Sequence, residues 1–231
     1  KTIRVEIQDG GKRLIRVMDD GSGIAADEVP LAFARHATSK LATVEDLSRV
    51  TTLGFRGEAL ASAAAVSQLT LVSRPAPQAA ATRIRFEGGF QQSLGTAGGP
   101  AGTIVTVENL FFNVPARLKF LKATATEAGH IYRVVTHYAL AYPQIRFSLS
   151  NDNRPVFQSN GSGDLLDALV AVFGAETARQ MILVAGAELT RSAEASMNEP
   201  LTSTDLTVSG YAGPPALHRG ARDQIIFFVN K

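Results

Sequence analysis

The sequence predicts an α+β protein whose larger part is a two-layer α/β sandwich, a mixed β-sheet with helices on one face. Three observations carry that prediction. The chain opens on two alternating apolar runs, 2–8 and 13–19, joined by Asp9-Gly10-Gly11-Lys12. Alternation marks half-buried strands, and the glycine pair marks a tight reversal. A glycine-bearing loop, 19–23, then leads into helical patterns. The later strand patterns show no repeating strand–helix–strand unit, so strands and helices segregate into layers instead of winding into a parallel sheet.

The elements follow in order. Residues 27–34 predict a short helix, 35–43 a loop of polar and small residues, and 44–50 a second short helix with Thr43 as its cap. Residues 51–57 read as a loop and 58–65 as a helix of small residues. Strands are predicted at 67–74, 82–87 and 103–108, with a glycine-rich hairpin loop at 95–102. Residues 110–121 mix aromatics, Pro115 and basic groups, with Phe111 and Phe112 expected in the core. A long helix at 126–141 places Ile131, Val135, Tyr138 and Tyr142 at helical spacing. Strands follow at 144–149 and 154–158, and Ser159-Asn160-Gly161-Ser162-Gly163 reads as a linker. Beyond it come a helix at 164–173 stopped by Gly174, strands at 181–185 and 205–211, a polar loop at 190–203, and a buried strand at 225–229. The domains expected are 1–158 and an incomplete smaller one, 161–231. The start on Lys1-Thr2 and the stop on a core-like strand read as truncation at both ends.

Composition narrows the function classes. With 45% hydrophobic and 19% charged residues, the chain can bury a core and is not of the disordered type. A net charge of +2 gives no strong polyanion signal, although residues 1–124 carry a net positive charge and 125–231 a net negative one. Any DNA contact is expected to be weak, salt-sensitive and non-specific. Cysteine is absent, which excludes a disulfide framework, a thiol nucleophile and thiolate metal sites. His36, His130, His137 and His218 form no ligand-spaced cluster, so no side-chain metal site is expected. No apolar run approaches the ~18–20 residues of a membrane helix, and no signal peptide is visible.

Three segments carry candidate chemistry. In Asp19-Asp20-Gly21-Ser22-Gly23-Ile24 an aspartate at a strand end can accept a hydrogen bond from a nitrogen donor, and glycines let a flat group approach the backbone. The competing reading is a solvated turn. Leu53-Gly54-Phe55-Arg56-Gly57-Glu58-Ala59-Leu60 exposes backbone N–H groups where a loop enters a helix, which suits an anion. It is no Walker loop, since no Gly-Lys-Ser/Thr follows, and the competing reading is an ordinary helix start. Arg35-His36-Ala37-Thr38-Ser39-Lys40 suits a loop folding over phosphate, or is a solvated polar run.

Taken together, "MDDGSGI", "ARHATSK", "LGFRGEALAS", "GTIVTVENLFFNVPARLKFL" and "FFVN" resemble the MutL family of DNA mismatch repair proteins, in order and over essentially the whole chain. That family belongs to the ATPase superfamily of gyrase, a heat-shock chaperone and the histidine kinases. "GFRGEAL" and "FFNVPARLKFL" are specific to the MutL branch.

The resemblance implies roles. Asp19 would bind the adenine amino group, with Gly21 and Gly23 shaping its pocket. Ala37, Thr38, Ser39 and Lys40 would lie in the lid. Gly54, Phe55, Arg56, Gly57, Glu58, Ala59 and Leu60 would offer backbone N–H groups to the phosphates, and Thr103 would support Asp19 from behind. The second domain would be of the ribosomal protein S5 domain 2 type. ATP and Mg²⁺ would be the cofactors. The partners would be a second subunit of the same or a related kind, a mismatch-recognition protein, and a nuclease or helicase. The compartment would be the cytoplasm in a bacterium or the nucleus in a eukaryote.

The family's Glu-x-x-x-Asn motif, source of the general base and the Mg²⁺ ligand, has no counterpart before the first strand. Glu194-Ala195-Ser196-Met197-Asn198 matches the string out of order and is read as chance. The fragment is therefore expected to bind nucleotide without hydrolysing it. Two other readings stay open: the ATP-binding module of a type II topoisomerase subunit, and a non-catalytic interaction paralogue.

Overall fold

The computed structural model describes residues 1–34, 58–189, 206–218, 220 and 224–229. The chain divides into two compact units, Lys1–Ala168 and Leu169–Val229.

The first unit is built on an eight-stranded sheet. Its strands are β1 (Thr2–Gln8), β2 (Leu14–Asp19), β3 (Gln68–Arg74), β4 (Ala81–Glu87), β5 (Phe90–Ala97), β6 (Gly102–Glu108), β7 (Arg146–Asn151) and β8 (Arg154–Gln158). They lie in the order β5-β4-β3-β6-β2-β1-β7-β8. Every neighbouring pair is antiparallel except β1 and β7, which run parallel, so the sheet is mixed.

Residues two apart along a strand share a face, and directly paired residues share it across the sheet. The register therefore stacks three rungs on one face. Ile7, Ile15, Val107, Leu69 and Phe86 form the first, and Val5, Val17, Val105, Leu71 and Ile84 the second. Ile3, Asp19, Thr103, Ser73 and Thr82 form the third, which is polar from β2 onward. The helical layer lies on this face. Helix α1 (Ala59–Ala65) contributes Ala64 to a cluster with Val29, Phe33, Leu69, Leu71 and Ile84, and Phe33 stacks on Phe86 at 4.4 Å. Helix α3 (Thr124–Ala141) buries Val135, Ala139 and Leu140. The opposite face carries the polar rung Glu6, Arg16, Thr106, Thr70 and Arg85, where Arg16 pairs with Glu6 at 3.0 Å. The two-layer sandwich expected from the sequence is what forms.

Several elements differ from expectation. Residues 27–34 form turns and a short 3₁₀ helix, Leu31–Phe33, because Pro30 and the packing of Val29 and Phe33 leave no room for a regular helix. Strand β5 runs through a stretch with no predicted strand and takes in the first three residues of the expected 95–102 loop. Its glycine-bearing sequence has weak strand preference, and pairing along β4 supplies the order. The buried side of α3 runs through Val135 and Ala139, which leaves Tyr138 exposed. Phe112 is exposed too, because Asn109 and Phe111 adopt left-handed backbone and turn the chain outward before helix α2 (Pro115–Phe120).

The expected linker is partly anchored: Ser159 is buried and its hydroxyl accepts from Phe147 N–H at 2.9 Å. Hydrogen bonds from Ser162 and Asn160 hold the Asp167 carboxyl below its ordinary range. Helix α4 (Leu165–Phe173) crosses the division between the units. In the second unit, α5 (Ala175–Gln180) precedes the antiparallel pair β9 (Ile182–Leu189) and β10 (Leu206–Ala212). Residues 225–229 carry no strand, and Ile225, Phe227 and Val229 are exposed, so the expected buried strand is not formed. The loop and helix expected over 35–57 and the loop expected over 190–203 lie outside the described residues.

Leu71 sits fully buried at the centre of the apolar rungs. Leu71→Ala is expected to cost about 2–5 kcal/mol in urea unfolding, whereas Thr70→Ala, on the opposite face, should stay within about 0.5 kcal/mol.

Candidate functional site

Asp19 is the last residue of β2 and stands at the edge of the polar rung, half-buried. Its Oδ1 accepts from the Gly21 N–H at 2.8 Å, the side-chain-to-backbone turn that a short polar side chain such as Asp closes. One carboxylate oxygen is thus held by the backbone, which fixes the group's orientation. Thr103 on β6 lies directly opposite Asp19, and Ser73 on β3 directly opposite Thr103. The Ser73 and Thr103 hydroxyl oxygens are 2.9 Å apart.

The backbone around this rung is tightly fitted. A Cβ on Gly21 would lie 2.6 Å from Asp19 Oδ1. Gly23 has φ +72°, and a Cβ there would lie 2.5 Å from the Arg74 carbonyl carbon. Gly102 has φ +107°, and its Cβ would run into the Asp19 carbonyl oxygen. Ile24 N–H donates to Ser73 Oγ at 2.8 Å, which ties the glycine loop to β3. Arg74 donates to the Gly99 and Gln78 carbonyls at 2.9 and 2.8 Å, bracing the loops beside it.

Beside Asp19 the apolar face is incompletely covered at Val17. Val17 shares the second rung with the buried Val5 and Leu71, yet is 37% exposed. An apolar floor next to an oriented carboxylate suits a flat ring that carries a nitrogen donor at its rim. Ile24 and Leu60 both pack against the Val29–Phe33 cluster, so the Asp19 loop and α1 share one core.

Of the residues singled out in the sequence, Asp19, Gly21, Gly23 and Thr103 come together here. Glu58 and Ala59 are exposed at the start of α1, and Leu60 turns into the core. Ala37, Thr38, Ser39, Lys40, Gly54, Phe55, Arg56 and Gly57 lie outside the described residues. Three contributors escaped sequence reasoning: Ser73, Gly102 and Val17. Ser73 carried a signal, a hydroxyl in phase with Leu69 and Leu71 on the buried side of its strand. Among the described residues no three His, Asp or Glu side chains converge as metal ligands.

The chain is 46% identical over 230 residues to a protein of Desulforudis audaxviator named DNA mismatch repair protein MutL, covering 100% of this chain and 38% of that one. A protein of the same name from Symbiobacterium thermophilum is 45% identical over 231 residues, 100% of this chain and 34% of that one. The chain belongs to the MutL family. It spans little more than a third of the length of these curated relatives. No family model matches the chain.

Among solved structures, the MutL ATPase domain of Aquifex aeolicus complexed with ADP is similar with a TM-score of 0.61 and 32% identity. The match covers 79% of this chain and 64% of that one. The N-terminal domain of a DNA repair protein aligns with a TM-score of 0.74 at 26% identity, over 91% of this chain and 61% of that one. The ATPase region of Saccharomyces cerevisiae topoisomerase II, at 14% identity and a TM-score of 0.58, shares the fold alone.

The steric fit of the glycines sets an expected outcome. Gly23→Ala and Gly102→Ala should each lower the melting temperature, since the new methyl meets backbone at a left-handed φ. Gly98→Ala, where a Cβ meets nothing within 4 Å, should leave it unchanged.

Proposed function

We propose that these residues form the adenine- and phosphate-recognising region of an ATP-driven DNA mismatch repair protein. The observation that carries this reading is the Asp19 carboxylate, oriented by Gly21 N–H and standing over the exposed Val17 in a chain of the MutL family. The Aquifex aeolicus relative is an ATPase domain complexed with ADP, which supports a nucleotide as the occupant.

Asp19 accepts a hydrogen bond from the adenine amino group, through the oxygen that Gly21 leaves available. Gly21 and Gly23 shape the pocket by letting the loop close tightly on Asp19 and on the Arg74 backbone. Thr103 backs Asp19 across the sheet. The backbone N–H groups of 54–60 take the phosphates, and 37–40 close over them. ATP binding by this region drives closure of a dimer, which signals between a mismatch-recognition protein and a nuclease or helicase. Mg²⁺ neutralises phosphate charge when bound. Its ligand and the general base belong to the Glu-x-x-x-Asn motif of the family, so no hydrolytic step is assigned to the residues described here. The MutL-specific "GFRGEAL" and "FFNVPARLKFL" favour this reading over a topoisomerase module.

In the full-length protein, Asp19→Ala should weaken binding of a non-hydrolysable ATP analogue by about 1.5–3 kcal/mol, one to two powers of ten in Kd. Isothermal titration reads the affinity, and an unchanged melting temperature shows that the fold survives. Unaltered affinity removes Asp19 from the site.

Turnover is separable from binding. The 231-residue chain alone should show no ATPase above background. In the full-length protein, replacing the motif glutamate by Ala should cut turnover by about 10²–10⁴-fold while ATP still binds. Equal turnover in the two full-length versions would show that the base lies elsewhere.

A further inference from the structure

The buried Ser73 hydroxyl has a position that the nucleotide reading does not use. It is 1% exposed and touches three polar atoms at once: Ile24 N at 2.8 Å, the Gly102 carbonyl oxygen at 3.2 Å and Thr103 Oγ1 at 2.9 Å. A hydroxyl has one hydrogen and two acceptor lone pairs. Ile24 N–H can only donate, so it takes one lone pair. The Gly102 carbonyl can only accept, so it takes the hydrogen. The remaining lone pair then accepts from Thr103. Only this arrangement satisfies all three contacts, and a buried polar group left unpaired is costly. The opposite arrangement, with Ser73 donating to Thr103, takes the hydroxyl hydrogen away from the Gly102 carbonyl.

The consequence falls on Thr103. Its hydroxyl hydrogen is directed along the rung toward Ser73, and its oxygen is left with lone pairs only. The Asp19 carboxylate opposite is likewise an acceptor. We infer that Ser73 is a positioning residue that holds Thr103 as an acceptor, so that the Asp19–Thr103 pair selects an amino-bearing purine over a keto-bearing one. The inference rests on the nucleotide reading above and deepens it. An adenine rim brings an amino donor to this edge. Hypoxanthine brings a carbonyl oxygen to the same position, where two acceptors meet it with no hydrogen between. Without Ser73, the Thr103 hydroxyl is free to turn its hydrogen outward and meet that carbonyl.

The test uses the full-length protein and non-hydrolysable analogues of ATP and of inosine triphosphate, with Kd measured for each by isothermal titration. The wild type should prefer the adenine nucleotide. Ser73→Ala should narrow the ratio of the two affinities by about five- to tenfold, mainly by tighter binding of the inosine nucleotide. Ser73→Cys, which replaces the hydroxyl by a somewhat larger and much weaker hydrogen-bonding thiol, should narrow it in the same direction. Thr103→Val, which removes the atom through which Ser73 acts, should also narrow the ratio, and adding Ser73→Ala to it should change nothing further. Thr103→Val carries the test if both Ser73 variants fail to fold.

A wild type that does not discriminate overturns the inference. So does a Ser73 or Thr103 variant that weakens both nucleotides equally, because a merely structural role lowers affinity without moving the ratio. Failure of the nucleotide reading looks different: the wild type then binds neither analogue, or Asp19→Ala leaves both affinities unchanged.

Discussion

The candidate site depends on the register of β2 against β6 and of β6 against β3. These two pairings place Asp19, Thr103 and Ser73 side by side on one face, above two rungs that are apolar throughout. A slip of one residue in β2 would send Asp19 to the open face and bring Met18 into its place. The apolar rungs resist that slip, because it would expose Ile15 and Val17 and bury Arg16. Hydrophobic burial several ångströms away thus fixes the position of a carboxylate that contributes nothing to the core.

The loop after β2 is held at several points. Val29 and Phe33 enter the cluster that α1 covers, and Ile24 is tied to β3 through Ser73. Near its start, Thr2 N–H donates to Asp20 Oδ1 at 2.7 Å, and that bond holds the Asp20 carboxyl below its ordinary range. Asp19 and Asp20 therefore separate in role although they are neighbours: Asp20 fastens the loop to β1, and Asp19 stands on the same face as the exposed Val17. An oriented carboxylate in a loop pinned on both sides is pre-organised, so a ligand need not pay to order it.

Much of the fold was legible in the sequence. Strands β1, β3 and β4 alternate because one face is packed and the other solvated, and α3 carries a long helical period. What was not legible depended on neighbours. β5 lacks a strand's apolar alternation and becomes a strand by pairing along β4. Phe111 and Phe112 look alike in sequence, but a left-handed turn half-buries one and exposes the other. The apolar 225–229 segment has the pattern of a buried strand, yet it is not a strand and leaves Ile225, Phe227 and Val229 exposed.

The same division runs through the site. By itself the sequence determined the chemistry on offer: an acidic residue between a strand and a glycine loop, and motifs that resemble the MutL family. Those are local properties, set by residue type and spacing. Only the tertiary structure decided what stands beside Asp19. Thr103 and Ser73 lie 84 and 54 residues from it along the chain, and they meet it because antiparallel pairing brings distant strands into one rung. The direction in which the Thr103 hydroxyl points follows from three contacts that converge on Ser73 from three separate segments, and a hydrogen bond's polarity is settled by every partner at once.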